Sequence, residues 1–355
     1  MAKELGFGLL GAGLIAPFHA KALRDSRGGR LVAVCDVNRE RAAKIAAEFG
    51  VKAYSDLDEL LRDPAVDAVG VLTPNHLHYA AVLKCFRAGK HVIVEKPPAM
   101  SLRETDEMIA AADAAGLTFA CTVQCRVRKA IQAVKRALDE GRFGRLLQAD
   151  AYMKWFRSTE YYHSDPWRGS RQSGAGVTVQ HAFHYIDLLQ YLAGPAASVE
   201  ARMTNLAHPS VKLEDTLQAF VAYRNGAQGV VQASTALWPG TDVRIEINGE
   251  NGTAIVVGER MTVWKFREER PEDAAIRELG SAAQATAAGG PADFGYADHL
   301  VVIQDFIEAI REHREPVIPV RSVRPTLEIV LAMYQSAAKG GPVALPVRDD
   351  PAIWA

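Results

Sequence analysis

The stretch VIVEKPPAM, residues 92–100, ends an apolar run in Glu95 and Lys96 and then stiffens the chain with Pro97 and Pro98. A proline fixes its own φ and keeps the residue before it out of the helical region, so the Lys96 ammonium is held in one place. In a dry pocket a lysine can hydrogen-bond a reacting oxygen or help carry its proton. At an open strand end the same Glu-Lys pair is a solvated ion pair of little energetic worth. Position decides between the two. A second signature lies near the start, in LGFGLLGAGLIA. Gly11-x-Gly13-x-x-Ala16 follows an apolar strand and opens a helix, and Asp36 ends the next strand, LVAVCD. That context makes the glycines a dinucleotide fingerprint: Gly11 permits the turn, Gly13 lets backbone approach a pyrophosphate, Ala16 allows close helix packing, and Asp36 is placed for ribose hydroxyls. The N–H groups at the helix N-terminus, those of Leu14 and Ile15, are expected to face the phosphates.

These residues need a sheet whose strand ends converge. After LVAVCD come the helix RERAAKIAAEFG, the short helix DLDELLRD, the buried strand DAVGVL, the helix HLHYAAVLKCFRAG and the strand HVIVE. SLRETDEMIAAADAAG follows, a helix with a Ser101-x-x-Glu104 capping box and a closing Gly116, and then the strand LTFACT. Strands alternating with helices predict a parallel, doubly wound sheet over residues 1–122, the first domain. Lys96 then emerges at a strand carboxyl end, where such sheets bind ligands. Beyond a helix at about 128–140 the rhythm changes. LLQADAYMKWF, ASVEARMTN, TLQAFVAYR, AQGVVQASTAL, VRIEINGE, GTAIVVG and MTVWKF alternate like strands and are joined by turns such as Asn225-Gly226 and Asn251-Gly252. They predict an antiparallel open sheet in a second, α+β domain over 123–355, preceded by one helix, VQHAFHYIDLLQYLAG. Residues 268–292 read as a long loop, and closing helices are expected at about 296–314 and 323–339. The late strands carry apolar residues on both faces, which predicts a homodimer or homotetramer through the face that helices leave open.

Composition narrows the partners. Among 355 residues, 41 Lys and Arg nearly cancel 42 Asp and Glu, so no strong field favours nucleic acid or a membrane surface. No run of about 18 apolar residues spans a bilayer. The N-terminal stretch imitates a secretory leader, with Lys3 and an apolar run from Leu5 to Phe18. Glu4 and the glycines at 6, 8, 11 and 13 break that pattern, and a leader is not expected. Cys35, Cys85, Cys121 and Cys125 lack paired spacing and read as reduced thiols in a cytoplasmic protein. His76 and His78 have no third ligand at suitable spacing, so no metal is expected.

Taken in order, Gly11-Ala12-Gly13, Asp36, Thr73-Pro74-Asn75 with His78, Glu95-Lys96-Pro97, GAGVTVQHAFHYIDLL and YQSAAKGGPVALP resemble the glucose–fructose oxidoreductase / inositol dehydrogenase / MocA family over nearly the whole chain. The resemblance implies an N-terminal Rossmann domain, a C-terminal domain whose open sheet often forms subunit interfaces, and NAD(P)-dependent oxidation of sugars and cyclitols. It implies NAD in preference to NADP, held by Gly11, Gly13, Leu14, Ile15, Asp36, Thr73, Asn75, His78, Glu95, Lys96 and Gln124. Lys96 and His184 become the catalytic pair, with His184 as the base that takes the hydroxyl proton. His181 and Asp187 lie one turn to either side, and Gln180, at i−4, shares the face. Family members often carry an acid at that slot; a neutral amide can orient an imidazole but does not stabilise imidazolium as a carboxylate would. TVQCRVRKA supplies Gln124 and Arg126. DPWRGSRQSGAG resembles a loop of a branch acting on sugars and nucleotide sugars, in which Trp167 would stack on a sugar face and Arg168 would bind hydroxyls or a carboxylate. Substrate contacts are thus expected from Lys96, Arg126, Trp167, Arg168, Gln180 and His184. A nucleotide-sugar dehydrogenase of the UDP-hexosamine type and a catalytically silent NAD-binding sensor are the alternatives.

Overall fold

The computed structural model describes residues 4–281, 288, 290 and 294–354 and divides the chain into two units. The first comprises residues 1–124 and 295–324. Its elements are β1 (Leu5–Leu10), α1 (Ala16–Asp25), β2 (Gly29–Cys35), α2 (Arg39–Phe49), β3 (Lys52–Tyr54), α3 (Leu57–Arg62), β4 (Ala68–Val71), α4 (His78–Arg87), β5 (His91–Glu95), α5 (Leu102–Ala115) and β6 (Phe119–Thr122). The strands pair in parallel in the order β3-β2-β1-β4-β5-β6. The order reverses between β1 and β4, which is the switch point at whose carboxyl end doubly wound sheets bind ligands. The central strands are buried along almost their whole length, as both-face coverage demands. The Ser101 cap forms, its Oγ accepting from the Glu104 N–H at 3.2 Å, while the Glu104 carboxylate accepts from the Met100 N–H, one residue before the cap, at 3.3 Å. β3, a three-residue edge strand with mostly exposed side chains, lacks the apolar run that would have announced it.

The second unit comprises residues 125–294 and 325–355. It contains α6 (Lys129–Asp139), β7 (Leu146–Lys154), α7 (Thr159–His163), α8 (Phe183–Ala193), β8 (Ala196–Thr204), β9 (Thr216–Tyr223), β10 (Gln228–Ser234), β11 (Arg244–Gly249), β12 (Gly252–Val257), β13 (Arg260–Phe266) and α9 (Asp273–Arg277). After α10 (Ala297–Glu312), α11 (Val320–Lys339) crosses from the first unit into the second, and β14 (Val343–Ala344) adds an edge strand. The eight strands run β13-β12-β11-β7-β10-β9-β8-β14. All pairs are antiparallel except β7 with β10, which is parallel. The hairpins of neighbouring strands predict the β8-β9, β9-β10, β11-β12 and β12-β13 pairs, whereas the antiparallel β7-β11 and β8-β14 pairs join strands far apart in sequence. The parallel pair joins strands far apart in sequence, which local turns do not specify.

Three expectations need correction. The segment 295–324 does not belong to the second unit. α10 buries Val302, Ile303, Phe306, Ile307 and Ile310, with Phe306 edge-on to Phe7 of β1 at 6.1 Å between ring centroids. A Cβ on Gly29 would come within 2.5 Å of Ile307, so glycine at the start of β2 lets this helix lie close. Periodicity marked an apolar face on α10 but not the sheet it covers. Within 268–292, α9 interrupts the expected loop, and residues 282–287, 289 and 291–293 lie outside the described residues. The sheet's two faces also differ. Ala149, Ala151, Ala219, Val221, Val231, Ile245 and Ile247 form the buried one, whereas the other mixes exposed Phe220 and half-buried Val230 and Ile255 with Arg244, Glu246 and Gln218.

Candidate active site

The loop from β1 to α1 is shaped by its glycines. Gly11 has φ +103°, and a Cβ there would sit 2.7 Å from the Leu72 carbonyl oxygen, so no other residue fits. A Cβ on Gly13 would meet nothing within 4 Å. Packing does not require glycine at 13, and the open space there leaves the backbone accessible. Ala16 is fully buried against the sheet. α1 has no side-chain cap at Ile15, but its first turn offers no open N–H: Ala16 donates to the Gly13 carbonyl, Pro17 has no N–H, and Phe18 and His19 donate to the Ile15 carbonyl, so the donors expected to meet an anion are those of Leu14 and Ile15 in the preceding loop. Asp36, at the end of β2, accepts from the Ala12 N–H at 2.7 Å and from the Asn38 N–H at 2.7 Å. Its carboxylate is thereby fixed beside the glycine loop. Thr73 Oγ1, beyond β4, and Thr122 Oγ1 and Gln124 Oε1, at the end of β6, are buried with no hydrogen-bond partner in the protein. Buried polar atoms are nearly always paired, so these three, with the glycine cradle, fit the polar groups of a bound dinucleotide. Thr122, an unremarkable strand residue in the sequence, was not foreseen.

Around Lys96 the same unit is tightly organised. Lys96 through Met100 are all buried, so the lysine is no solvated strand-end residue. The Lys96–Pro97 peptide is cis. Glu95 Oε1 lies 2.9 Å from His19 Nε2 of α1, and Oε2 accepts from the Lys96 backbone N–H at 3.3 Å. Burial works against the charged form of Glu95, but the hydrogen bond from His19 and the charges of His19, His299 and Lys96 outweigh it and bring the carboxyl down to about 2. A depressed carboxyl pKa lends stability above the unfolded value, near 4.5, and that stability is lost as the pH falls through about 2.

His78 does not face a cofactor. It is fully buried at the start of α4, with Nδ1 2.8 Å from the Pro97 carbonyl and Nε2 2.8 Å from the Thr73 carbonyl. Burial pushes its pKa down, against the two carbonyl contacts, which favour the protonated ring. The imidazole is a strut between the Thr73 loop and the segment after Lys96. His78→Ala should lower the free energy of unfolding by about 2–4 kcal/mol, because it leaves a cavity and strands two carbonyls. Denaturant melts would show this, with little change in NAD affinity; lost NAD affinity at full stability would return the residue to the cofactor.

In the second unit, Thr178–Ala182 form a π-helical turn that continues into α8. Such turns recur at functional sites. From Ser173 to Leu189 every residue is buried except Gln180 and His184, which keep partial solvent access. The two residues one turn to either side of His184 make contacts of their own. Asp187 is fully buried and takes Arg126 Nε at 2.7 Å, Arg126 Nη2 at 2.5 Å and the Thr326 hydroxyl at 2.8 Å. Arg126, expected to bind substrate, is therefore half of a buried ion pair. His181 packs against the rings of Trp155 and Tyr161, at 5.9 and 5.8 Å between centroids. Glu214, also unforeseen, supports the π turn: it accepts from the Thr178 N–H at 3.2 Å and the Tyr334 hydroxyl at 2.6 Å, and burial raises its pKa.

Arg168 is buried, stacked 4.8 Å from the Tyr161 ring centroid and 4.7 Å from that of Trp167, and donates to the Tyr161 hydroxyl at 2.8 Å. Arg157 lies 5.8 Å from the same Tyr161 ring. The expected Trp167-Arg168 element thus belongs to a cluster of two arginines around one tyrosine.

The structure gathers Gly11, Gly13, Asp36, Thr73, Asn75, Glu95, Lys96 and Gln124 in the first unit, and Trp167, Arg168, Gln180 and His184 in the second. A family model described as an oxidoreductase family with an NAD-binding Rossmann fold matches residues 5–123. A second, described as a GFO/IDH/MocA C-terminal domain, matches residues 131–255. The chain is 31% identical to 1,5-anhydro-D-fructose reductase of Ensifer adhaerens, over 70% of this chain and 74% of that one. It is 28% identical to scyllo-inositol 2-dehydrogenase (NAD(+)) of Bacillus subtilis, over 98% of each. Among solved structures it resembles the WlbA dehydrogenase of Bordetella pertussis in complex with NADH and UDP-GlcNAcA, with a TM-score of 0.86 and 31% identity over 97% of this chain and 100% of that one.

Proposed function

Because the chain belongs to the GFO/IDH/MocA family of oxidoreductases with an NAD-binding Rossmann fold, we propose that it transfers a hydride between a secondary alcohol of a sugar, sugar derivative or cyclitol and the nicotinamide. The buried Lys96 at the carboxyl end of β5, in the unit that holds the glycine loop and Asp36, carries this reading. Bound NAD supplies the hydride acceptor. The N–H groups of Leu14 and Ile15, just before α1, would hold its pyrophosphate, Asp36 its adenosine ribose, and Thr73, Asn75 and Gln124 its remaining polar groups. Lys96 donates a hydrogen bond to the alcohol oxygen and stabilises the charge that develops there. His184 takes the hydroxyl proton, with Gln180 orienting the imidazole. A panel of free sugars and cyclitols, followed by the absorbance of reduced nicotinamide, tests this; no turnover with any of them counts against it.

A nucleotide-linked sugar acid is a second reading. Arg168 and Arg157 around Tyr161, with Trp167 beside them, suit a carboxylate or diphosphate on a stacked sugar, and the WlbA structure holds UDP-GlcNAcA. Turnover of UDP-sugar acids but not of free sugars would select it.

Asp36 favours NAD over NADP. A 2′-phosphate about 4 Å from this carboxylate would cost roughly 1 kcal/mol in water and about 4 kcal/mol at an effective dielectric of 20. A preference on the order of 5- to 1000-fold in kcat/KM is expected, and equal or better kcat/KM with NADP would overturn it. Exposed Phe220, with Val230 and Ile255 on the outer sheet face, supports a homodimer or homotetramer through that face. Among the described residues no helix is long and apolar enough to cross a membrane. Four buried free thiols suit a reducing cytoplasm.

A further inference from the structure

His299 enters the first unit from α10, more than two hundred residues after Glu95. It is 1% exposed, as is His19. The two rings meet edge to face, with centroids 5.2 Å apart and planes at 67°. The Phe18 ring also neighbours His299, with centroids 6.2 Å apart. One ligand-type atom each from His19, Glu95 and His299 lie within 4.8 Å of one another. Two buried imidazoles from two helices thus converge on one strand-end carboxylate, the carboxylate whose second oxygen accepts the Lys96 backbone N–H. Nothing in the hydride transfer itself uses either histidine.

We propose that His19, Glu95 and His299 form a positioning cluster for Lys96. Glu95 holds the lysine backbone, His19 holds Glu95, and His299 packs edge to face against the His19 ring and fixes it. Burial of the two imidazoles makes the cluster stiff: the half-buried Glu95 carboxylate is held from two sides, by the His19 ring and by the Lys96 backbone N–H, so the strand end beneath the ammonium keeps one conformation. The inference rests on the reading of Lys96 as catalytic. A displacement of about 1 Å at a reacting group can lower a rate on the order of 10²-fold, which sets the scale of effect to look for. His299 is a positioning residue and need not touch substrate or cofactor.

Steady-state kinetics of the full-length enzyme on its best alcohol substrate test this. His299→Leu should lower kcat about tenfold or more with KM for substrate and for NAD little changed, and His299→Gln should recover most of the loss. The kcat–pH profile of His299→Leu should shift, because Glu95 loses a neighbour that favours its charged form. If His299→Leu does not fold, Glu95→Gln carries the comparison at saturating NAD, with kcat expected to fall about tenfold or more and wild-type kcat there overturning the cluster's role. Wild-type kcat in His299→Leu, or a loss that only tracks the unfolded fraction, would overturn the cluster's role. So would stoichiometric zinc in the purified protein with turnover lost to a chelator and restored by zinc, since that marks a metal centre. Lys96→Met separates the two levels: if it turns over normally, the catalytic reading fails; if it is dead while His299→Leu is normal, only the cluster fails.

Discussion

Lys96→Met should keep the fold and NAD binding and lower kcat by roughly 10²-fold or more, the scale of a lost acid–base or electrostatic group. The substitution removes the charge and the hydrogen-bond donors but little volume, and the site is buried and shaped by two prolines, so packing should survive. His184→Ala should give a loss of similar size, because without the base the hydroxyl proton has no acceptor at neutral pH. The double variant should be far from additive if both groups serve one proton transfer, since removing either already stops it. Single-turnover measurements would place the loss in the chemical step rather than in NAD release. An ion pair without a catalytic task predicts otherwise: a stability change under about 1 kcal/mol and unchanged turnover. A Lys96→Met enzyme with near wild-type kcat on its true substrate would remove the lysine from the mechanism.

Arg126→Met should destabilise the fold by about 3–5 kcal/mol, more than His78→Ala, because it leaves Asp187 as an uncompensated buried charge. The guanidinium meets both carboxylate oxygens, also lies over the Tyr191 ring at 5.1 Å, and is 4% exposed. Replacing both partners by apolar residues, Arg126→Met with Asp187→Leu, should recover much of the loss, since a buried ion pair contributes little net stability beyond satisfying itself. Denaturant melts of the two single variants and the double variant check this. A raised KM in Arg126→Met at wild-type stability would instead make the arginine a substrate ligand.

What the sequence made legible is local. Gly11 announces the loop because the constraint acts on the residue itself, a positive φ that only glycine adopts without strain. Every strand of the large sheet except the two-residue β14 could be read from alternation, since one face of each is buried. The Ser101 cap of α5 was readable because its partners are three residues apart. What stayed hidden depends on pairings over long separations. Arg126 and Asp187 are 61 residues apart, and Arg126 taken alone looked like a substrate residue. His78 carried a motif position, yet its two carbonyl acceptors come from loops that only the folded sheet brings together. The π turn before α8 left no mark in the pattern of side chains, because one extra residue in a turn shifts an apolar stripe too little to see.

The interleaving of the first unit bears on how the chain is made. Residues 1–124 leave the ribosome well before 295–324, with 170 residues between them (294 − 124). At roughly 5–20 residues per second that interval is about 8–34 s. Throughout it, Phe7 and the glycine at the head of β2 lack the helix that covers them, and His19 lacks the ring that braces it. The nascent dinucleotide half must therefore wait as an incomplete intermediate with an open apolar flank, a state that chaperones bind and that a premature stop before Ala297 would make permanent.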